Sequence, residues 1–200
     1  MPLPSLEHAA LLVIDVQAGL FPAERPPFDA AGVVERINAL TLKARVAAAP
    51  VFLIQHESPA DGLAPGSPDW QLHADLKTQA SDILLGKAAC DAFYSTSLED
   101  QLRAMKITTL VLTGYATDFC VDSTLRNAVS KGFEVVVAGD AHTTHENPVS
   151  APSWSAGTTT GPGANAPPPS RCGLCRLTRF SSAKPRNRSW PPITGPHSPS

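Results

Sequence analysis

Five short, almost unbroken apolar runs punctuate the first 140 residues: "AALLVI" (9–14), "VFLIQ" (51–55), "DILLG" (82–86), "ITTLVLT" (107–113) and "FEVVVAG" (133–139). Strands that face a core on both sides lose the polar alternation of a half-exposed sheet, so runs like these point to a sheet covered on both faces. The segments between them carry helical spacing. Asp29 is placed to cap a helix whose apolar positions are Val33, Ile37, Leu40 and Ala44. Leu98, Leu102 and Met105 form a second stripe, and Val121, Leu125, Ala128 and Val129 a third, with Asp118 as its expected cap and Gly132 as its stop. Alternating strand and helix requires parallel strands joined by right-handed crossovers. The expected fold is therefore α/β: a doubly wound parallel sheet in a three-layer α/β/α sandwich. One connection, "HESPADGLAPGSPDWQLHADL" (56–76), is long and rich in turn residues, with only a short helix expected at its end.

The composition changes abruptly near residue 147. All 18 acidic residues lie at or before Glu146, with 10 of the 16 basic ones, whereas the last 53 residues hold six basic residues, no acidic ones and 11 of the 20 prolines. Residues 1–149 are expected to form the folded domain. Residues 150–200 are expected to be a disordered Pro/Arg/Ser-rich tail, of the kind a GC-rich gene yields when read out of frame. The acidic body argues against nucleic acid as a partner, and no apolar stretch is long enough for a membrane span. The N-terminus lacks the basic-then-apolar pattern of a secretory leader, and Cys90 and Cys120, far apart in sequence, do not suggest a disulfide framework. Both features point to a reducing, cytoplasmic setting.

Three chemically distinct side chains share one topological address. Asp15 ends the first run, Lys87 follows the third, and Cys120 opens the helix after the fourth in "TGYATDFCVDST". Ligands of open parallel sheets bind outside the carboxyl ends of the strands, where strand order reverses. Taken singly, each residue has an ordinary structural explanation: a loop-capping aspartate, a solvated lysine, a packed thiol. Their joint occurrence at three strand ends favours chemistry.

The pieces "ALLVIDVQAGLF" (10–21), "GKAACDAFYSTSLEDQLR" (86–103), "LVLTGYATDFCVDSTLRNA" (110–128) and "VVVAGDAHTT" (135–144) resemble the isochorismatase-like cysteine hydrolases. That group includes nicotinamidases, N-carbamoylsarcosine amidohydrolase and small amidases. The resemblance implies a catalytic triad of Asp15, Lys87 and Cys120. It also implies an oxyanion hole from the backbone amides of Ala116 and Cys120, a cis peptide between Tyr115 and Ala116, and assembly into homo-oligomers. The implied reaction is cleavage of a small-molecule amide-type C–N bond through a thioester. Asp15 would act as the base, and the helix N-terminus and Lys87 would stabilise the thiolate. The family pattern continues into a further helix and strand that the tail does not spell out.

Phe21, Trp70, Phe93 and Tyr94 are candidates for an apolar wall around the substrate. Gln17 and Thr117 are candidate hydrogen-bonding groups, and His56 and His73 either edge the pocket or face solvent. Neither cofactor nor metal is expected. Gln55 and Glu57 flank His56 where the metal-binding members of the family show Asp-x-His, and the pair His142 and His145 is weak evidence for a site. "CGLC" (172–175) has no second pair, and Asp140 is expected to brace a loop. Competing readings are a vinyl-ether hydrolase of the same fold, which the presence of Cys120 disfavours, and a non-catalytic or redox-thiol member.

Overall fold

Residues Ala9–Ile14 form β1, buried at every position, as their uniform hydrophobicity requires. The computed structural model describes residues 8–145 and the backbone of Leu177–Phe180. After β1 come α1 (Ala30–Val46), β2 (Val51–His56), β3 (Ile83–Lys87), α2 (Leu98–Ala104), β4 (Thr109–Tyr115), a π-helical turn (Thr117–Val121), α3 (Asp122–Ser130), β5 (Glu134–Thr143) and β6 (Leu177–Phe180). The sheet order is β3-β2-β1-β4-β5-β6. The first five strands are mutually parallel, and β6 pairs antiparallel with β5, from Val135↔Phe180 to Ala138↔Leu177. Strand order reverses between β1 and β4.

The alternation of side chains along β1 sorts the core into two layers. Ala10, Leu12 and Ile14 pack with Leu98 and Leu102 of α2 and with Ala128 of α3. Leu11 and Val13 face the opposite way, onto Val33, Val34 and Ile37 of α1. The three-layer α/β/α reading is therefore what the chain adopts.

Several local expectations need correction. Asp29 takes the N-cap position of α1 as expected, but in left-handed backbone at φ 49° and without a side-chain capping bond, its carboxylate accepting from Arg36 instead. Asp118 lies inside the π turn, with Ala116 at the cap position, and its Oδ1 accepts from the Thr144 hydroxyl at 2.6 Å. Met105 follows the last residue of α2 and is 43% exposed, so the buried stripe stops at Leu102. The long β2–β3 connection has no helix at its end. It opens with a 3-10 turn at Pro59–Asp61 and is held by backbone bonds to the β1–α1 loop, among them Ala18 N to Gln71 O at 2.8 Å and His73 N to Val16 O at 2.9 Å. The expectations of a disordered tail and of a missing helix–strand unit fall on residues outside those described, except for β6, a strand the sequence reading did not foresee.

Gly114 permits the close approach of β4 to β1 beside Asp15. Its φ is +114°, and a Cβ there would lie 2.7 Å from Ile14 N, 2.8 Å from Ile14 C and closer still to Ile14 O. The obstacle is backbone of the central strand, which cannot yield as a flexible side chain would. Gly132 has φ +85° but open space around it. Gly114→Ala should therefore cost about 3 kcal/mol or more, and Gly132→Ala only about 1–2 kcal/mol from its backbone conformation. Urea melts of the two variants against the parent check the order.

Candidate functional site

Asp15 is the first residue beyond β1. Its φ of 53° turns the chain out of the strand, while its N–H still donates to Ile54 O at 2.8 Å. Its carboxylate is buried, and Oδ2 lies 2.8 Å from Lys87 Nζ. Lys87 closes β3 opposite His56 of β2. Its fully buried ammonium also reaches Ala89 O at 3.0 Å, His56 Nδ1 at 3.3 Å and Cys120 Sγ at 3.3 Å. Cys120 rides on the π turn, where Ala116 O accepts from both Phe119 N and Val121 N at 3.1 Å. The Tyr115–Ala116 peptide before that turn is cis. The carboxylate, ammonium and thiol thus meet at the carboxyl end of the sheet. They do so differently from the expected arrangement of three strands around the reversal point. Only β1 and β4 flank that point; β3 is an edge strand with β2 between, and the length of the lysine side chain spans the gap.

The electrostatics also depart from expectation. Burial raises the Cys120 thiol, the Asp15 carboxylate raises it further, and Lys87 only partly opposes them, so it is pushed up to about 12. Burial and the Asp15 carboxylate thus favour the neutral thiol over the stored thiolate expected from the sequence, with desolvation the largest influence on the sulfur and Lys87 opposing it only in part. Burial likewise raises Asp15 against the pull of Lys87. Its Oδ1 has no hydrogen-bond partner among the described residues, although it is buried.

Comparisons with known proteins agree with this geometry. The model of the Isochorismatase domain matches residues 9–154. An uncharacterised isochorismatase family protein of Escherichia coli O157:H7, YecD, is 40% identical over 146 residues, covering 66% of this chain and 78% of that protein. The chain belongs to the isochorismatase family.

Other relatives in this family carry functional names. A streptothricin hydrolase of Streptomyces noursei is 34% identical over 70% of this chain; the chain spans about half (51%) of that protein's length. A ureidoacrylate amidohydrolase, RutB, of Methylobacterium radiotolerans is 35% identical, covering 68% of this chain and 66% of its own. The crystal structure of N-carbamoylsarcosine amidase from Thermoplasma acidophilum superposes with a TM-score of 0.65 at 26% identity, covering 70% of this chain and 86% of that one.

Around this isochorismatase-family centre, the expected substrate residues separate. Gln17 is fully committed to the scaffold: its Nε2 donates to His56 O at 3.1 Å and Trp70 O at 2.9 Å, and its Oε1 accepts from His56 N at 2.7 Å. Gln55 Nε2 donates to the same Trp70 carbonyl at 2.9 Å. Phe21 is buried, edge-on to Tyr115 at 5.7 Å and to His73 at 5.5 Å, so it lies against the residue that leads into the Cys120 turn. Phe93 belongs instead to the core, stacked on Phe133 at 5.8 Å. Tyr94 is 66% exposed, and Trp70 is half-buried with its indole N–H unpaired among the described residues. Thr117 Oγ1 meets His142 Nδ1 at 2.8 Å.

The "HTTH" segment is a strap. His142 holds Thr117, Thr143 Oγ1 donates to Phe28 O at 2.5 Å, Thr144 holds Asp118, and His145 joins the Tyr115 hydroxyl at 2.8 Å to Arg25 O at 2.9 Å. Asp140 is tied through its carbonyl to Arg36 of α1. Sequence reasoning assigned none of these partners, because each depends on the register shift between β4 and β5, where Leu112↔Val137 is followed by Gly114↔His142. Among the described residues no three His, Cys, Asp or Glu side chains gather as a metal site, and no helix is long and apolar enough to cross a membrane.

The neighbours of Cys120 give a signed prediction. Asp15→Asn removes the charge that raises the thiol and leaves the ammonium that lowers it. Cys120 should then alkylate faster with iodoacetamide at pH 8, whereas Lys87→Met should slow it. Peptide mapping in a Cys90→Ser background, which removes the exposed thiol among the described residues, reads both rates on the Cys120 peptide.

Proposed function

We propose that this chain is a cysteine hydrolase of amide-type C–N bonds in small molecules. The observation that carries the reading is the buried Lys87 ammonium, within 2.8 Å of the Asp15 carboxylate and 3.3 Å of the Cys120 sulfur. Stability does not require such a cluster, since a buried ion pair gains little over apolar packing of the same volume. The names of the relatives, hydrolases and amidases acting on ureidoacrylate, streptothricin and N-carbamoylsarcosine, support the reaction class.

The roles follow from the proton inventory. A thiol held above the ordinary range is a poor nucleophile until a base takes its proton as it attacks. Asp15, with Oδ2 bound to Lys87 and Oδ1 unpartnered, supplies that base, and burial has made it a better one. Sulfur then bonds to the amide carbon. The negative charge passes to the carbonyl oxygen, to be held by the backbone N–H groups of Ala116 and Cys120 at the entry to the π turn. Collapse expels the amine, which takes the proton from Asp15 and leaves a thioester. Asp15 next deprotonates a water molecule that releases the acid and restores the thiol. Lys87, beside both groups, offsets the single negative charge whether it sits on the Asp15 oxygen or the Cys120 sulfur.

An amide panel scored for released ammonia or amine tests this. The parent chain should turn over at least one small carboxamide or ureido compound. Cys120→Ser and Asp15→Asn should each lower kcat by at least about a thousand-fold, as for groups that touch the reacting atoms. Unchanged turnover in Cys120→Ser would remove the cysteine from the mechanism.

A further inference from the structure

We propose that His56 is a positioning residue for Lys87 that works only as the neutral Nε2–H imidazole, so that protonating it uncouples the ammonium from Asp15 and Cys120. The inference rests on the hydrolase reading for its kinetic consequence, not for its geometry. Lys87 Nζ is ringed by Asp15 Oδ2, Ala89 O, His56 Nδ1 and Cys120 Sγ at 2.8–3.3 Å. An ammonium donates and never accepts. Its three N–H groups cannot serve all four neighbours at once, but a ring N–H turned toward it at 3.3 Å would set two donors against each other, so the arrangement with least repulsion presents the Nδ1 lone pair and keeps the proton of a neutral imidazole on Nε2.

The backbone of His56 is fixed on both sides. Its N–H donates to Gln17 Oε1 at 2.7 Å, its carbonyl accepts from Gln17 Nε2 at 3.1 Å, and it pairs in register with Lys87 itself. Both residues are thus anchored at the same level of adjacent strands. An imidazolium would have no acceptor nitrogen and would place a second cation beside the first. The groups facing the ring are Lys87 from β3, Asp15 from the end of β1, Glu57 next along the chain and Asp61 of the 3-10 turn. The carboxylates favour the cation, but burial and Lys87 outweigh them and lower His56 from the usual histidine range. Of the four acceptors around the ammonium, only this one has an ordinary pKa near neutrality. Acidification thus replaces a lone pair facing Lys87 with a second cation beside it.

Nuclear magnetic resonance of the full chain labelled with 15N-histidine tests the geometry without turnover. The His56 signal, assigned through His56→Gln, should show an unprotonated Nδ1 at pH 7, and Lys87→Met should raise its midpoint by about one pH unit or more. A protonated Nδ1, or a midpoint that Lys87→Met leaves in place, would overturn the proposal even in a chain that hydrolyses no amide. If Lys87→Met does not fold, the tautomer of the parent decides. In the kinetic arm, His56→Leu should lower kcat about ten-fold, the worth of one hydrogen bond, with little change in KM. His56→Gln, which restores an acceptor that does not titrate, should recover most of that loss and lack the histidine limb of the pH profile. Equal losses in the two variants, or an effect confined to KM, would make His56 a substrate contact and contradict the positioning role.

Discussion

A lysine ammonium shut away from water beside a carboxylate and a thiol is the constraint around which this molecule is arranged. Removing one partner of a buried ion pair costs roughly 3–5 kcal/mol, because the other is left charged and unsolvated. Lys87 and Asp15 therefore hold each other in place, and the protein must keep β1 and β3 aligned for the pair to exist. The same burial raises both proton-binding groups, Asp15 and Cys120. In the proposed mechanism that water exclusion favours moving the thiol proton to Asp15 during attack, where a thiolate stored in advance would need a more positive surrounding.

The scaffold around that cluster consists largely of backbone groups fixed by side chains. Gln17 and Gln55 both end on the carbonyl of Trp70 and tie the long β2–β3 connection down beside the site. Gly114 lets β4 lie against Ile14, one residue before Asp15. The strap from His142 to His145 grips Tyr115, Thr117 and Asp118 on one side and the loop at Arg25 and Phe28 on the other. The segment that bears Cys120 is thus held from both directions by polar contacts, while the two apolar layers hold the sheet beneath it. The proposed division of labour is that hydrophobic packing places the strand ends and hydrogen bonds set the last ångström of the reacting groups.

Much of the architecture was legible because the apolar runs are unambiguous. β1 begins and ends where "AALLVI" does, and the other four runs were located to within a few residues. The details that escaped were decided by partners remote in sequence. Asp29 and Asp118 look like helix caps, yet Arg36 and Thr144 compete successfully for their carboxylates. Phe93 has the composition of a pocket wall but is drawn into the core by Phe133. Gln17 looked like a substrate ligand, and its donors and acceptor are all taken by the backbone of His56 and Trp70. Asp15, Lys87 and Cys120 could be picked out because a resemblance marks them and because strand ends are read easily. The state of the thiol could not, since it depends on how far burial outweighs one ammonium, a balance of three-dimensional distances.

In the proposed mechanism the acyl group of the substrate passes through the Cys120 sulfur. Intact-mass and peptide analysis of an acid-quenched reaction, run on any amide the chain turns over, tests it directly. The expected result is an acyl increment on the peptide that carries Cys120, absent before substrate is added and lost on further incubation. Acid product that accumulates through repeated turnovers while Cys120 stays unmodified at every quench time, in a chain whose Cys120→Ser form is equally active, would contradict it.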